Sequence, residues 1–138
     1  MPSDTKAAPV SKGMLWTGRV MSALPSLLIA FAGVMKIAKV PGVVEGSAKS
    51  GYAASLVLPI GIIELSCLIV YLIPRTSVLG AILVSAFLGG ATATCVRVGD
   101  PSWPMPVLTG VLIWGGLYFR DPRVRALIPL RSSLGSER

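Results

Sequence analysis

Charged residues divide the chain into four long stretches that are uncharged or nearly so. These stretches enclose 16 residues between Arg19 and Lys36, 25 between Lys49 and Arg75, 21 between Arg75 and Arg97, and 19 between Asp100 and Arg120. A membrane-spanning helix needs about 17–25 residues, and basic side chains at the ends of the first, shorter stretch reach to the interface. The pattern predicts an all-α polytopic membrane protein, an antiparallel bundle of four transmembrane helices over about 15–36, 51–73, 76–96 and 102–119.

The composition excludes several other classes of protein. Hydrophobic residues make up 53% of the 138 residues and charged residues 14%, which is too apolar for a disordered chain. A soluble bundle would have to cover four helices that are apolar all round, and a chain of this size lacks the residues to do so. The net charge of +7 does not indicate nucleic acid, because the cations border the apolar stretches instead of gathering on one polar face. The predicted partner is therefore the lipid bilayer.

The distribution of the cations predicts the orientation. With four spans, both termini lie on one side of the membrane, and that side carries nine of the 13 Lys and Arg residues. The positive-inside rule places this side in the cytoplasm, which predicts an inner-membrane protein with cytoplasmic termini. We expect residues 1–13 and 132–138 to be mobile tails that flank a membrane domain over 14–131.

The first apolar stretch has a second interpretation. Lys6 and Lys12 precede it, and Ala30-Phe31-Ala32 resembles a signal-peptidase site. Cleavage there would leave three spans. The apolar run nevertheless continues through Gly33, Val34 and Met35, which favours a retained helix.

Glu64 is the one charged residue inside the four long stretches. Counted from Gly51, it lies about 20 Å below the outer boundary, near the middle of the membrane. It is either a functional acid with a catalytic role or a protonated side chain that bonds a neighbouring helix. Residues that share its face or its depth are predicted to line a small, mostly apolar cavity around it: Gly61, Cys67, Tyr71, Ser26, Ser85 and Trp114.

A mixed-charge rim is predicted at the outer boundary. Its members are Lys36, Lys39, Glu45, Lys49, Arg97 and Asp100. They either anchor the helices in the solvated interface or surround the mouth of a cavity.

The two cysteines are predicted not to pair with each other. Measured from the inner side, Cys67 lies at about 9 Å and Cys95 at about 28 Å, whereas a disulfide needs Cα atoms within about 7 Å. Each is a small buried residue, or Cys95 is a reactive thiol or a bond to a partner chain. The chain has no histidine, so imidazole-ligated haem or zinc and histidine acid–base catalysis are excluded, and no metal site is predicted.

Small residues predict where the helices meet. Ala81, Ser85, Gly89 and Ala93 recur every four residues, so they share one face of the third span. Without a hydrophobic driving force in lipid, such faces let helix backbones approach closely. We interpret this face as a packing seam in preference to a substrate groove.

Several motifs along the chain occur in an order known from one family. They are Gly33-Val34-Met35-Lys36, Gly61-Ile62-Ile63-Glu64-Leu65, Ile73-Pro74-Arg75, Gly80-Ala81, Gly89-Gly90-Ala91-Thr92-Ala93-Thr94 and Arg97-Val98-Gly99-Asp100-Pro101. From about Leu15 to Arg131 the chain resembles the DoxX-like family of small four-helix bacterial membrane proteins. The resemblance implies a retained first helix. A histidine commonly follows the Ala-Thr pair in this family, where this chain has Cys95, so a role for that imidazole does not carry over.

Three classes of function remain open at this stage. The leading hypothesis is an accessory subunit without independent catalysis that binds a small apolar ligand or a quinone, and that serves a membrane redox partner or forms a homo-oligomer. The alternative is a membrane enzyme that uses Glu64 as general acid or base on a lipophilic substrate. A proton or solute transporter is the third class, and its polar path would have to run through Glu64, Ser85, Thr92 and Thr94.

Overall fold

A computed structural model describes residues 11–127 of the protein, and this part of the chain contains helices and no strands. Six α-helices follow one another, with a short 3-10 turn at Pro74–Thr76 between the third and the fourth: α1 Lys12–Ile37, α2 Pro41–Lys49, α3 Ala54–Leu72, α4 Ser77–Val98, α5 Pro104–Arg120 and α6 Pro122–Leu127. Most of the predicted N-terminal tail and all of the predicted C-terminal tail, 132–138, lie outside the described residues.

The helix ends follow from local chemistry. Ser11 caps α1, because its Oγ accepts a hydrogen bond of 3.2 Å from the backbone N–H of Met14. α1 therefore begins three residues before the predicted position and includes the end of the predicted tail. α4 ends at Gly99, whose φ of 73° is a left-handed conformation that suits glycine.

Two helices were not predicted from the sequence. α2 begins with Pro41 in its first turn and lies between α1 and α3. It has no buried residue, so it rests on the bundle surface. α6 follows α5 after a single residue, Asp121, and again starts with proline.

The four long helices form a closed ring in which every helix lies antiparallel to its neighbours. α1 packs against α5 and α3, and α4 packs against α3 and α5. Three segments are long and apolar enough to cross a membrane: Lys12–Ile37, Ala54–Leu72 and Pro74–Val98. α5 completes the ring with 17 residues. The predicted all-helical membrane architecture is thus confirmed, with three candidate spans.

The two ends of the ring differ in how tightly they are packed. We call them the α6 end, where α1 begins, and the α2 end, where α1 finishes. In α4 and α5 the buried residues run from the α6 end to the middle of each helix, and they are Ser77, Gly80, Ala81, Val84, Leu88, Ile113, Gly116 and Leu117. After Leu88 in α4 and before Ile113 in α5, no described residue is buried.

The predicted seam on the third span is correct at one end and wrong at the other. Ala81 is fully buried, and Gly80 touches the backbone of Tyr71 so closely that no side chain fits between α3 and α4. Gly89 and Gly90, by contrast, have no atom within 4 Å of a Cβ position. The small residues at the α2 end of α4 therefore leave space instead of closing it.

Candidate functional site

An ion pair lies between α1 and α3. Lys36 Nζ is 2.6 Å from Glu64 Oε2, and this is the one salt bridge among residues 11–127. The Glu64 side chain is only 6% exposed and that of Lys36 is 21% exposed. The carboxylate that the sequence placed alone inside a span therefore has a partner. A paired charge costs far less to bury than an isolated one.

Glycines bring the two helices close enough for this contact. A Cβ on Gly61 would lie 2.8 Å from Lys36 Cβ and 3.0 Å from the carbonyl oxygen of Gly33. Side chains lean toward the N-terminus of their own helix. Lys36, in the last turn of α1, therefore leans back into the bundle toward Glu64.

A cavity of about 540 Å³ opens beside the ion pair at the α2 end. It lies between α2, α3, α4 and the end of α1, and most of its wall is apolar. The residues that line it are Lys36, Val43, Gly46, Ser47, Ser50, Tyr52, Ile60, Glu64, Ala86, Phe87, Leu88, Gly90, Ala91, Thr94 and Cys95. Small residues of α4 supply the space, and the ion pair supplies the charged part of the wall.

Two side-chain contacts brace the segment after α2 against α4. The Tyr52 hydroxyl lies 2.7 Å from Thr94 Oγ1, and Arg97 Nη2 donates to the carbonyl oxygen of Ser50 at 2.7 Å. Gly51, between Ser50 and Tyr52, has a φ of 88°. Its left-handed backbone turns the chain from α2 into α3.

Comparison with known proteins identifies the family. The model of the DoxX-like family matches residues 20–116, which include the ion pair and all four long helices in whole or in large part. The chain belongs to the DoxX-like family. Among curated proteins and solved structures, none matches it significantly. Together with the apolar helices, the family match makes this a membrane protein with transmembrane helices.

The structure brings only part of the predicted site of this DoxX-like protein together. Glu64 and Lys36 line the cavity. Gly61 instead packs against α1. Trp114 Nε1 donates to Ser85 Oγ at 2.7 Å, which satisfies both groups away from the cavity.

The other predicted cavity residues of the DoxX-like chain lie toward the α6 end. The Tyr71 hydroxyl is 2.9 Å from Ser22 Oγ and 3.2 Å from the carbonyl oxygen of Ile113. Ser26 Oγ donates to the carbonyl oxygen of Ser22, and Cys67 is half-buried beside the core. These residues belong to the packed half of the bundle.

The residues of the predicted rim also lie in different environments. Lys36 faces inward, so its interpretation as a solvated anchor is wrong. Arg97 is exposed and holds Ser50 as described above. Asp100 Oδ1 accepts bonds from the N–H and the hydroxyl of Ser102 at 2.8 and 2.7 Å, and these bonds lower the pKa of the Asp100 carboxyl.

Sequence reasoning missed three residues of the DoxX-like cavity. Tyr52 was not among the predicted lining residues, and Thr94 was predicted only as part of a transport path, although both line the wall. Cys95 lines it too and is a free thiol, as is Cys67. Within residues 11–127, no three His, Cys, Asp or Glu side chains cluster as metal ligands would.

Proposed function

We propose that this DoxX-like protein is a four-span inner-membrane protein with cytoplasmic termini that binds a small, mostly apolar molecule of the quinone class at its α2 end. It acts as an accessory subunit of a membrane redox system and has no catalysis of its own. The observation that carries the proposal is the cavity of about 540 Å³ with the Lys36–Glu64 pair in its wall. Small-molecule sites in proteins measure about 300–1,000 Å³ and combine apolar walls with a few polar groups.

The fourth span in this proposal is α5. Its 17 residues extend about 26 Å at the rise of an α-helix, close to the thickness of the hydrocarbon core. α5 also packs against both α1 and α4, so it lies at the same depth as two candidate spans. The α6 end is then the cytoplasmic side, in agreement with the positive-inside rule.

The chemistry of the wall supports a quinone. A quinone ring is flat and apolar and carries carbonyl oxygens that only accept hydrogen bonds. The Lys36 ammonium has three N–H donors, and Glu64 takes one of them. Phe87 in the same wall gives an aromatic surface for stacking.

The ion pair suits binding better than it suits proton transfer. Glu64 Oε2 already accepts a hydrogen bond of 2.6 Å from the Lys36 ammonium, so its carboxyl group is engaged with Lys36. A ligand with a carbonyl oxygen therefore approaches the ammonium, while the Glu64 carboxyl group fixes the ammonium in place. This arrangement supports a binding role.

The proposal is tested by titrating ubiquinone-1 against the purified full chain in nanodiscs, with isothermal calorimetry as the readout. Gly90→Leu and Gly89→Leu form a matched pair, because both positions are open but only Gly90 lines the cavity. We expect Gly90→Leu to weaken binding at least tenfold and Gly89→Leu to leave it within twofold. Lys36→Met should weaken it about tenfold through the lost charge-assisted bond.

Two results would reject the proposal. If the unmodified protein does not bind ubiquinone-1 up to its solubility limit, the quinone class is wrong. If Gly90→Leu binds as tightly as Gly89→Leu, the site lies elsewhere.

A second candidate is a membrane enzyme that uses Glu64 as a general base. The observation that favours it is that the Glu64 carboxylate borders the cavity, where a lipophilic substrate would meet it. Incubation with a total lipid extract, followed by mass spectrometry, tests it. Turnover by the isolated protein that Glu64→Gln abolishes would support the enzyme and displace the accessory role.

A further inference from the structure

Two arginines at the α6 end, Arg120 and Arg125, both contact α1, and the proposed function does not use them. The Arg120 side chain lies against Gly18, since a Cβ on that glycine would meet Arg120 Cγ at 2.5 Å. Arg125 Nη1 lies 3.8 Å from Met14 Sδ. Met14 and Gly18 are one turn apart on α1, about 6 Å along its axis. The two side chains therefore follow consecutive turns of the same helix.

Tyrosines hold both guanidinium groups in position. The Arg120 guanidinium carbon lies 5.7 Å from the centre of the Tyr71 ring, and its Nη2 donates to the Tyr71 hydroxyl at 3.4 Å. The Arg125 guanidinium carbon lies 6.0 Å from the Tyr118 ring, and its Nε donates to the Tyr118 carbonyl oxygen at 3.2 Å. Cation–π contacts of this kind orient an arginine without neutralising it.

Neither arginine has a counter-charge among the described residues. Arg120 Nε and Arg125 Nη2 are buried and have no hydrogen-bond acceptor in that part of the chain. Asp121 is the one acid described at this end, and its Oδ1 accepts from the backbone N–H of Arg123. Buried donors without acceptors are costly. Two fixed cations without a counter-charge among the described residues have the character of an anion site.

We propose that Arg120 and Arg125 bind the phosphate of an anionic phospholipid in the leaflet at the α6 end. The pair lies where α1 begins and α3 ends, which is the level of the headgroups for helices that span the bilayer. Guanidinium forks match phosphate oxygens in pairs. Basic pockets between helices on the cytoplasmic side are a known mode of anionic-lipid recognition. A free phosphate has the same charged group but no acyl chains to place beside the helices.

Native mass spectrometry of the full chain in an uncharged detergent tests this site. Phosphatidylglycerol, phosphatidylcholine and inorganic phosphate are titrated separately against the protein and three variants. The variants are Arg120→Gln/Arg125→Gln, the charge-retaining Arg120→Lys/Arg125→Lys, and Arg123→Gln, an exposed arginine at the same end that serves as the control.

We expect phosphatidylglycerol to bind at least tenfold more tightly than phosphatidylcholine. The double glutamine variant should lose at least tenfold in affinity for phosphatidylglycerol, and Arg123→Gln less than twofold. The lysine variant should fall between them, because an ammonium keeps the charge and lacks the fork.

The proposal is overturned by equal binding of the two lipids. It is also overturned if Arg123→Gln loses as much affinity as the double glutamine variant, because the lipid would then bind by general charge attraction. A third overturning result is that inorganic phosphate binds as tightly as phosphatidylglycerol. If the double glutamine variant does not fold, Arg125→Gln alone is compared with Arg123→Gln under the same criteria.

Discussion

The α6 half and the α2 half of the bundle are built from the same four helices but pack in opposite ways. The α6 half holds most of the best-buried side chains, among them Tyr71, Ile113 and Leu117, each at most 2% exposed, whereas Val57 is the one such side chain described near the α2 end of α3. The α2 half holds the cavity, the ion pair and a surface helix without a buried residue. The difference is greatest along α4, where burial stops after Leu88.

Small residues produce both outcomes. Gly80 and Gly116 touch neighbouring helices, Tyr71 and Ser22 respectively, so they close the α6 half. Gly89 and Gly90 touch nothing, so they open the α2 half. A small residue in a membrane helix therefore brings helices together only where larger residues nearby interdigitate, as Ile113 and Leu117 do. The packed half can carry the stability of the fold while the open half remains available for a ligand.

Removal of one partner of the ion pair should have the largest effect. Glu64→Leu leaves the Lys36 ammonium without its carboxylate, and breaking a buried pair costs about 3 kcal/mol or more in the free energy of unfolding. The combined Lys36→Met/Glu64→Leu variant should return to within about 1 kcal/mol of the unmodified protein, because apolar side chains can replace a buried pair. Unfolding by sodium dodecyl sulfate in mixed micelles measures both.

The double variant also separates stability from binding. If it is stable yet no longer binds ubiquinone-1, the polar pair serves the ligand and not the fold. If Glu64→Leu alone is as stable as the unmodified protein, the ion pair contributes nothing to the free energy of unfolding. The polar character of the α2 half would then have no effect on stability.

The two glycines of α4 should respond in opposite directions to the same change. Gly80→Ala places a methyl group against the Tyr71 backbone, and overpacking of this kind costs about 1–3 kcal/mol. Gly89→Ala meets no atom and should raise the free energy of unfolding by up to about 1 kcal/mol, because alanine is the better helix former. Thermal melting in detergent is the measurement. A loss of stability in both variants would contradict the view that α4 is open at Gly89.

The sequence predicted the positions of the long helices well, because charged residues interrupt the long apolar stretches near the helix ends. The predicted spans 15–36, 51–73, 76–96 and 102–119 coincide with α1, α3, α4 and α5 to within three residues at every end. α2 was missed because the polar segment 41–49 lacks a long apolar stretch, although Pro41 at its start is a helix signal.

The site was harder to predict than the helices, for geometric reasons. Depth arithmetic gives the height of Cα atoms, and by height Lys36 and Glu64 lie far apart. In the structure Lys36 packs directly against Gly61, so its backbone lies only about one helical turn from Glu64, and the heights counted from separate span ends were wrong. Gly33 and Gly61 bring the two helices close enough for the ion pair. The position of Glu64 indicated a site, but its partner depended on helix rotation, which a single sequence does not specify.

Two tyrosines allow the same substitution to be compared in both halves. Tyr71→Phe removes a hydroxyl that is buried among Ser22, Ile113 and Arg120, and a lost buried hydrogen bond costs about 1–2 kcal/mol. Tyr52→Phe removes a half-buried hydroxyl at the cavity, where water or ligand can reach Thr94 Oγ1, so we expect less than about 0.5 kcal/mol. Thermal melting under identical conditions measures both. Equal losses would mean that the two halves are equally rigid.

The smallest effect is expected at Asp100, in the loop that follows α4. The hydroxyl and the N–H of Ser102 lower the pKa of this carboxyl below its ordinary value of 3.8, since both bonds favour the charged form. A lowered pKa in the folded state means that the contribution to stability is complete above about pH 4 and is lost as the pH falls through the lower folded value. Ser102→Ala removes the hydroxyl bond, so the pKa should rise toward 3.8 and the melting temperature at pH 7 should fall only slightly, because solvent screens a bond at the protein surface. Carboxyl NMR titration of the protein in micelles gives the pKa. A melting temperature that falls clearly at pH 7 would show that this loop, and with it the α2 half, bears more of the stability of the fold than its burial indicates.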